Sequence, residues 1–192
     1  MDIGQKRRCA VAAMAVAVSA VVMSAQSGPR LPHVDYGACP FEGCTYRAWS
    51  VLDDTRLLAA RRDNARVVTR VESGATVRGV TGVVVTTKLG RAVVVRQRTI
   101  GRRQILVRPG DRVDLLHYVG EGYWKYSLRG VIDEEFIPDQ PSCKDNSRLV
   151  NECSIQMGEV PETVWWVKIR TRKGQEGWTR EHDHFGNKDR FG

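Results

Sequence analysis

Three groups of residues in this chain have types and spacings that chemistry uses. Asp133-Glu134-Glu135 could supply the paired carboxylates of an acid–base catalyst. Neighbouring residues of an extended chain point to opposite faces, so these carboxylates would not converge on one bond, and the run is expected to be a solvated turn. His182-Asp183-His184 would put two imidazoles on one side of an extended chain. Two ligands make a weak metal site and no third lies nearby, so no metal or other cofactor is expected. The third group is Trp166, Lys168 and Arg170, which alternate along one segment, a large ring flanked by two cations. A ring beside cations can stack a sugar or pack a peptide while the cations hold a carboxylate.

Alternation sorts the other aromatic residues. Trp165, Val167 and Ile169 share the opposite side of the Trp166 segment and are expected in the core. In the same way Trp124, Tyr126 and Leu128 face inward and leave Tyr123 as an exposed ring. A groove, if the fold forms one, is expected around Tyr123, Trp166, Lys168 and Arg170. Catalytic motifs are scarce. There is no Gly-x-Ser-x-Gly elbow and no glycine-rich phosphate loop, and a cysteine nucleophile would need a free thiol beside a histidine. A non-enzymatic binding role is therefore expected. The alternatives are a structural envelope protein that packs against its own copies and a small hydrolase with scattered catalytic residues.

The compartment follows from the N-terminus and the cysteines. Lys6, Arg7 and Arg8 precede an uncharged stretch of 17 residues, Cys9 to Ala25, and Ala25-Gln26-Ser27 has the small-x-small form of a cleavage site. Residues 1–27 are expected to be a signal peptide, cut after Ser27 or slightly earlier at Ser24 or Ala25. Contact with membrane is then confined to export. The leader takes two positive charges net from the chain's +8, so the mature protein keeps +6 and could favour anionic partners. Export argues against nucleic acid as the partner. Four cysteines remain, Cys39, Cys44, Cys143 and Cys153. An even count in an exported chain points to two disulfides, and Cys39–Cys44 with Cys143–Cys153 closes the shortest loops. Neither C-x4-C nor C-x9-C is a usual zinc or redox spacing.

The elements that must position these residues are β-strands. Residues 66–71, 75–87, 91–95, 113–119, 123–132 and 164–171 are rich in Val, Thr, Ile and aromatics. Ser73-Gly74, Leu89-Gly90, Pro109-Gly110, Gly120-Glu121-Gly122 and Lys173-Gly174 separate them as turns. Residues 28–40 hold three prolines and no periodicity, as a linker would, and lead into the CPFEGC cysteine turn. Residues 54–63 could pass for a two-turn helix with Leu57, Leu58, Arg61 and Arg62 at helical spacing. Glu72–Val80 and Arg108–Leu116 echo one another, each with Val three residues after a Gly, which suggests two related β units.

The stretch Trp166-Val-Lys-Ile-Arg-Thr-Arg-Lys-Gly-Gln-Glu-Gly-Trp-Thr179 resembles the closing half of a bacterial SH3-like (SH3b-type) domain, in which a Trp opens one strand and Gly-Trp enters the last. The likeness is carried by residues 164–182 and more weakly by 50–100. It implies that Trp178 belongs to the packing of a small barrel, and that the barrel binds cell-wall peptide or glycan, or a partner protein. The chain departs from that pattern in the CPFEGC turn and in an insert over about 133–163. The expectation is an all-β chain: signal peptide 1–27, linker and cysteine turn 28–49, SH3-like units over 50–100 and 101–192, with insert 133–163 carrying Cys143 and Cys153. Such a protein would work in the periplasm or at the cell surface.

Overall fold

The computed structural model describes residues 28–138 and 152–191. The leader and Cys143 lie outside the described residues. Strands account for the regular structure, as the β-branched and aromatic runs require. In chain order they are β1 (His33–Tyr36), β2 (Ala48–Val51), β3 (Thr55–Leu58), β4 (Val67–Val71), β5 (Thr76–Lys88), β6 (Gly90–Val94), β7 (Arg98–Ile100) and β8 (Ile105–Val107). There follow β9 (Arg112–Gly120), β10 (Tyr123–Leu128), β11 (Val131–Phe136), β12 (Ile155–Glu159), β13 (Glu162–Arg170), β14 (Glu176–Thr179) and β15 (Phe185–Gly186).

Two sheets dominate. The first runs β15-β2-β5-β13-β14-β3-β4, with β1 added to β5, and curls into a half-barrel. The second runs β11-β10-β9-β6-β12, and β7 and β8 form a separate hairpin. Each sheet has its own core. Trp49, Leu57, Val77, Trp165, Val167, Ile169 and Phe185 fill the first. Val94, Val107, Leu115, Tyr126, Ile137 and Ile155 fill the second.

The sheets are joined through one long ribbon. β5 pairs with β13, and beyond Leu89 the same chain continues as β6, which pairs with β12. The ribbon changes sheet at Gly90 and Pro161. Pro161 has no N–H to give to the ladder, and a Cβ on Gly90 would come within 2.5 Å of the Glu159 carbonyl oxygen. Consequently residues 90–159 supply the second sheet and the segments before and after supply the first. The sheets are not divided at residues 100 and 101, because the long-range antiparallel pairing of β5 with β13 outweighs nearness in sequence.

Four sequence expectations need correction. The span 28–49, expected as linker and cysteine turn, contains β1, whose four residues pair with Val83–Thr86 despite the prolines around them. Residues 54–63 are not helical. Thr55–Leu58 is a strand, with Leu57 facing the first core and Leu58 a smaller cluster on the other side, so the adjacent leucines reflect a sheet covered on both faces. The run 123–132 is broken by a two-residue turn, Arg129-Gly130, where both residues have positive φ (52° and 78°) and Leu128 pairs with Val131. Such tight hairpins usually carry Asn or Asp before the Gly. Here Arg129 is held by its own side chain, which donates to the Leu106 carbonyl and pairs with Asp111 at 2.8 Å.

The last correction concerns Asp133-Glu134-Glu135, which is part of β11 rather than a solvated turn. Asp133 accepts hydrogen bonds from the backbone N–H groups of Arg102 (2.8 Å) and Glu134 (2.9 Å). Glu135 takes Arg98 at 2.9 Å and the Gly101 N–H at 2.7 Å. These two carboxylates share a strand face and together hold the turn between β7 and β8, which gives acidic side chains a structural reason to lie in a strand.

Candidate functional site

Each of the four residues expected around a groove has a definite place, and only Lys168 and Arg170 come together. Trp166 is 6% exposed and packs with Leu58 and Ala65 beneath residues 59–65, so its ring is not a stacking surface. Lys168 and Arg170 point to the same side of β13 and both hold Glu176, each at 2.6 Å. Tyr123 lies in the second sheet, with its ring edge-on to Phe136. Of the residues expected in the core, Trp165, Val167, Ile169, Tyr126 and Leu128 are buried, whereas Trp124 and Trp178 are partly buried at the edges of their clusters.

The structure instead points to the cysteine turn. Cys39 and Cys44 are joined by a disulfide. Cys153 is also disulfide-bonded, and its expected partner, Cys143, is outside the described residues. The closed loop of CPFEGC is fastened to the first sheet by its upstream neighbour. The Tyr46 hydroxyl and the Trp165 indole N–H both donate to the Ala38 carbonyl, the latter at 3.2 Å. Gly82 of β5 makes this possible, since a Cβ there would collide with Tyr46, Trp165 and Ala38 together. Burial pushes the Tyr46 hydroxyl up to about 12, so it stays a donor.

So anchored, the loop separates two clefts. On one side is a cavity of about 410 Å³ that includes Tyr123, Glu42, Glu121, Glu134 and Arg190. On the other is a cavity of about 440 Å³ at the junction of the sheets, walled by Phe41, Tyr118, Trp165, His182 and Lys188. The rings of this second cleft support one another. Phe41 lies edge-on to Trp165 (5.6 Å between centroids), and His182 tilts against Trp165 at 5.0 Å. The Lys188 ammonium sits 5.8 Å from the Phe41 ring centre and donates to the His182 carbonyl at 2.7 Å. Burial lowers both the Lys188 amine and the His182 imidazole from their usual values.

His117 lines the deep end of the cleft and couples the two sheets. One ring nitrogen meets Asp35 of β1 at 2.7 Å and the other the Tyr118 carbonyl at 2.7 Å. Lys125 of β10 reaches the same Asp35 oxygen at 2.6 Å. Burial pushes the Asp35 carboxyl up, but hydrogen bonds from His117 and Lys125 outweigh it and hold the group at about 2.

Chemically the cleft offers aromatic walls, one half-buried ammonium and an imidazole. The two histidines of the His-Asp-His run diverge in a short 3-10 turn. His182 enters the cleft, whereas His184 bonds the buried Thr55 hydroxyl at 2.9 Å. Among the described residues no three His, Cys, Asp or Glu side chains gather as metal ligands would, and Thr55–His184 is the only hydroxyl–imidazole hydrogen bond. Sequence reasoning missed the cleft because its walls come from separate segments: the cysteine turn, β9, β13 and the C-terminal segment. The usable signal was a Phe inside a disulfide loop together with an unexplained His-Asp-His run. No protein-family model matches the chain, and the comparisons with curated proteins and with solved structures find no match.

Proposed function

We propose that this chain is an exported, non-catalytic binding module of SH3-like type, and that the cleft beside the Cys39–Cys44 loop takes a carboxylate-bearing peptide of the bacterial cell wall. One observation carries the reading: three rings from separate segments (Phe41, Tyr118 and Trp165) enclose a cavity with the Lys188 ammonium at its side. Aromatic side chains give large apolar contact with few rotatable bonds. An ammonium in a partly desolvated pocket attracts a carboxylate more strongly than one in open water. Export is supported by the leader residues and by a disulfide in the described chain. The Gly177-Trp178 hairpin that carries the SH3-like resemblance lies in the first sheet, next to β13.

The test is a pull-down of residues 28–192 with purified peptidoglycan, at low salt and at about 0.5 M, where exposed charges are screened. Retention at both salts, lost in Lys188→Gln and in Phe41→Ala, is expected. Retention at low salt alone would assign the binding to net charge and overturn the cleft reading. No retention at either salt would remove wall peptide as the ligand.

A further inference from the structure

The outer face of the first sheet, turned away from its core, has a charge arrangement that the fold itself does not use. Directly opposed residues of an antiparallel ladder share a face. Arg78 of β5 opposes Arg170 of β13, and both are exposed. Lys168 opposes Trp178, and Arg170 opposes Glu176. Tyr36 of β1 opposes Val83, which in turn opposes Trp166, so the 71%-exposed Tyr36 ring belongs to this same face. The Arg61 guanidinium bridges the two ends of the aromatic part, 5.2 Å from the Tyr36 ring centre and 5.4 Å from that of Trp178.

These side chains form a strip. Its Tyr36–Trp166 row and its Arg78–Arg170 row are four residues apart along β13, or about 13 Å. Four cations stand on it against one carboxylate, and that carboxylate, Glu176, is already clamped by Lys168 and Arg170. Among the described residues no carboxylate lies within ion-pair distance of Arg78. Two arginines placed opposite one another repel, so the pair lowers stability unless something anionic lies across it.

We propose that this strip binds an acidic polysaccharide, with a sugar ring against Tyr36 and the carboxylates of the chain on Arg170 and Arg78. The observations favour a glycan over other anions for two reasons. An exposed ring at one end calls for a ligand with flat apolar faces as well as charge. The strip also has no exposed aliphatic side chain to enter a bilayer, and beside the loop of residues 59–65 that covers Trp166 it is a sheet face rather than a groove, which suits an extended polymer.

The experiment is gel retardation of residues 28–192 by polygalacturonate, with neutral dextran and inorganic polyphosphate as the comparison polymers. Retardation by polygalacturonate, none by dextran and less by polyphosphate is the expected result. Arg78→Ser and Tyr36→Ala should each weaken the interaction about tenfold, the scale of one lost charge-assisted or ring contact. Arg91→Ser removes the same charge from the second sheet and should change nothing comparable. Polyphosphate binding as tight as polygalacturonate, insensitivity to Tyr36→Ala, or an equal loss in Arg91→Ser would each reduce the strip to net charge and overturn the proposal, as would no retardation. Lys188→Gln should leave polygalacturonate binding intact, so failure here is distinguishable from failure of the peptide cleft.

Discussion

The two sheets treat their charged side chains in opposite ways. In and beside the second sheet, four cations pair with carboxylates that also do structural work. Arg98 pairs with Glu135, Arg102 with Asp133 and Glu134, Lys125 with Asp35 and Glu134, and Arg129 with Asp111. The outer face of the first sheet instead opposes Arg56 to Arg70 and Arg78 to Arg170. Self-matched charges hold turns and join sheets, whereas like charges in register cost stability when nothing anionic lies across them. The difference assigns architecture to the acidic residues of β11, and it is the basis for proposing recognition at Arg78 of β5 and Arg170 of β13.

That division predicts a graded set of effects. The largest belongs to Trp166, which lies on the outer face yet is sealed by residues 59–65. Trp166→Ala should cost about 3–5 kcal/mol, the range for emptying a buried aromatic site. A urea titration reads this directly. A stability change below about 1 kcal/mol would mean the ring is not part of the packing, and would return it to the recognition surface.

Asp133 comes next. Its carboxylate gathers backbone N–H groups from the β7–β8 turn and from β11 itself. Burial pushes its carboxyl up, but the N–H groups of Glu134, Arg103 and Arg102 reverse that and lower it. Asp133→Ala should destabilise by about 1–3 kcal/mol, since it removes the acceptor shared by part-buried backbone donors. Hydrogen exchange at Arg102 and Arg103 should rise in the variant, and unchanged exchange would break the assignment of β11 acids to architecture.

Acid should loosen the joint between the sheets. Asp35 is held at about 2, below the ordinary carboxylate value, so its stabilisation is full above about pH 4 and fades as pH falls from there towards 2. Burial of His33 and of His182 lowers both imidazoles. The unfolded chain therefore takes up these protons first, and stability declines already below about pH 6.5. Denaturant midpoints measured from pH 7 to 3 should fall in both windows, and Asp35→Asn should flatten the lower one only. A lower window that survives Asp35→Asn would show that the sheets are coupled elsewhere.

Much of the β architecture was legible because it rests on local chemistry. Alternation identified Trp165, Val167 and Ile169 as core, and the short spacing of Cys39 and Cys44 identified their bridge. The misreadings arose where a face that should meet solvent is covered. Trp166 and Leu58 alternate into a second, smaller core that no local pattern announces. The acids of β11 look solvated until the β7–β8 turn is folded over them. The cleft was illegible for a further reason: it depends on pairing across the long ribbon, which brings residues near 40, 118, 165 and 188 together. Only Phe41 and His182 stood in segments the sequence had marked as unusual.

The smallest effect is also the sharpest for the comparison between the sheets. Removing one arginine of an opposed pair relieves repulsion, so Arg78→Ser should leave stability unchanged or raise it by about 0.2–1 kcal/mol. Arg56→Ser should behave alike, because Arg56 opposes Arg70 and both are exposed. The corresponding removal where β7 meets the second sheet, Arg98→Ser, takes the cation from the 11%-exposed Glu135 of β11 and must destabilise, since a largely buried carboxylate loses its counter-charge. Thermal melts of the three variants at one pH and salt decide the matter. A loss of stability in Arg78→Ser comparable to that in Arg98→Ser would show that the outer arginines hold the first sheet together, and the case for reserving them for a partner would fall.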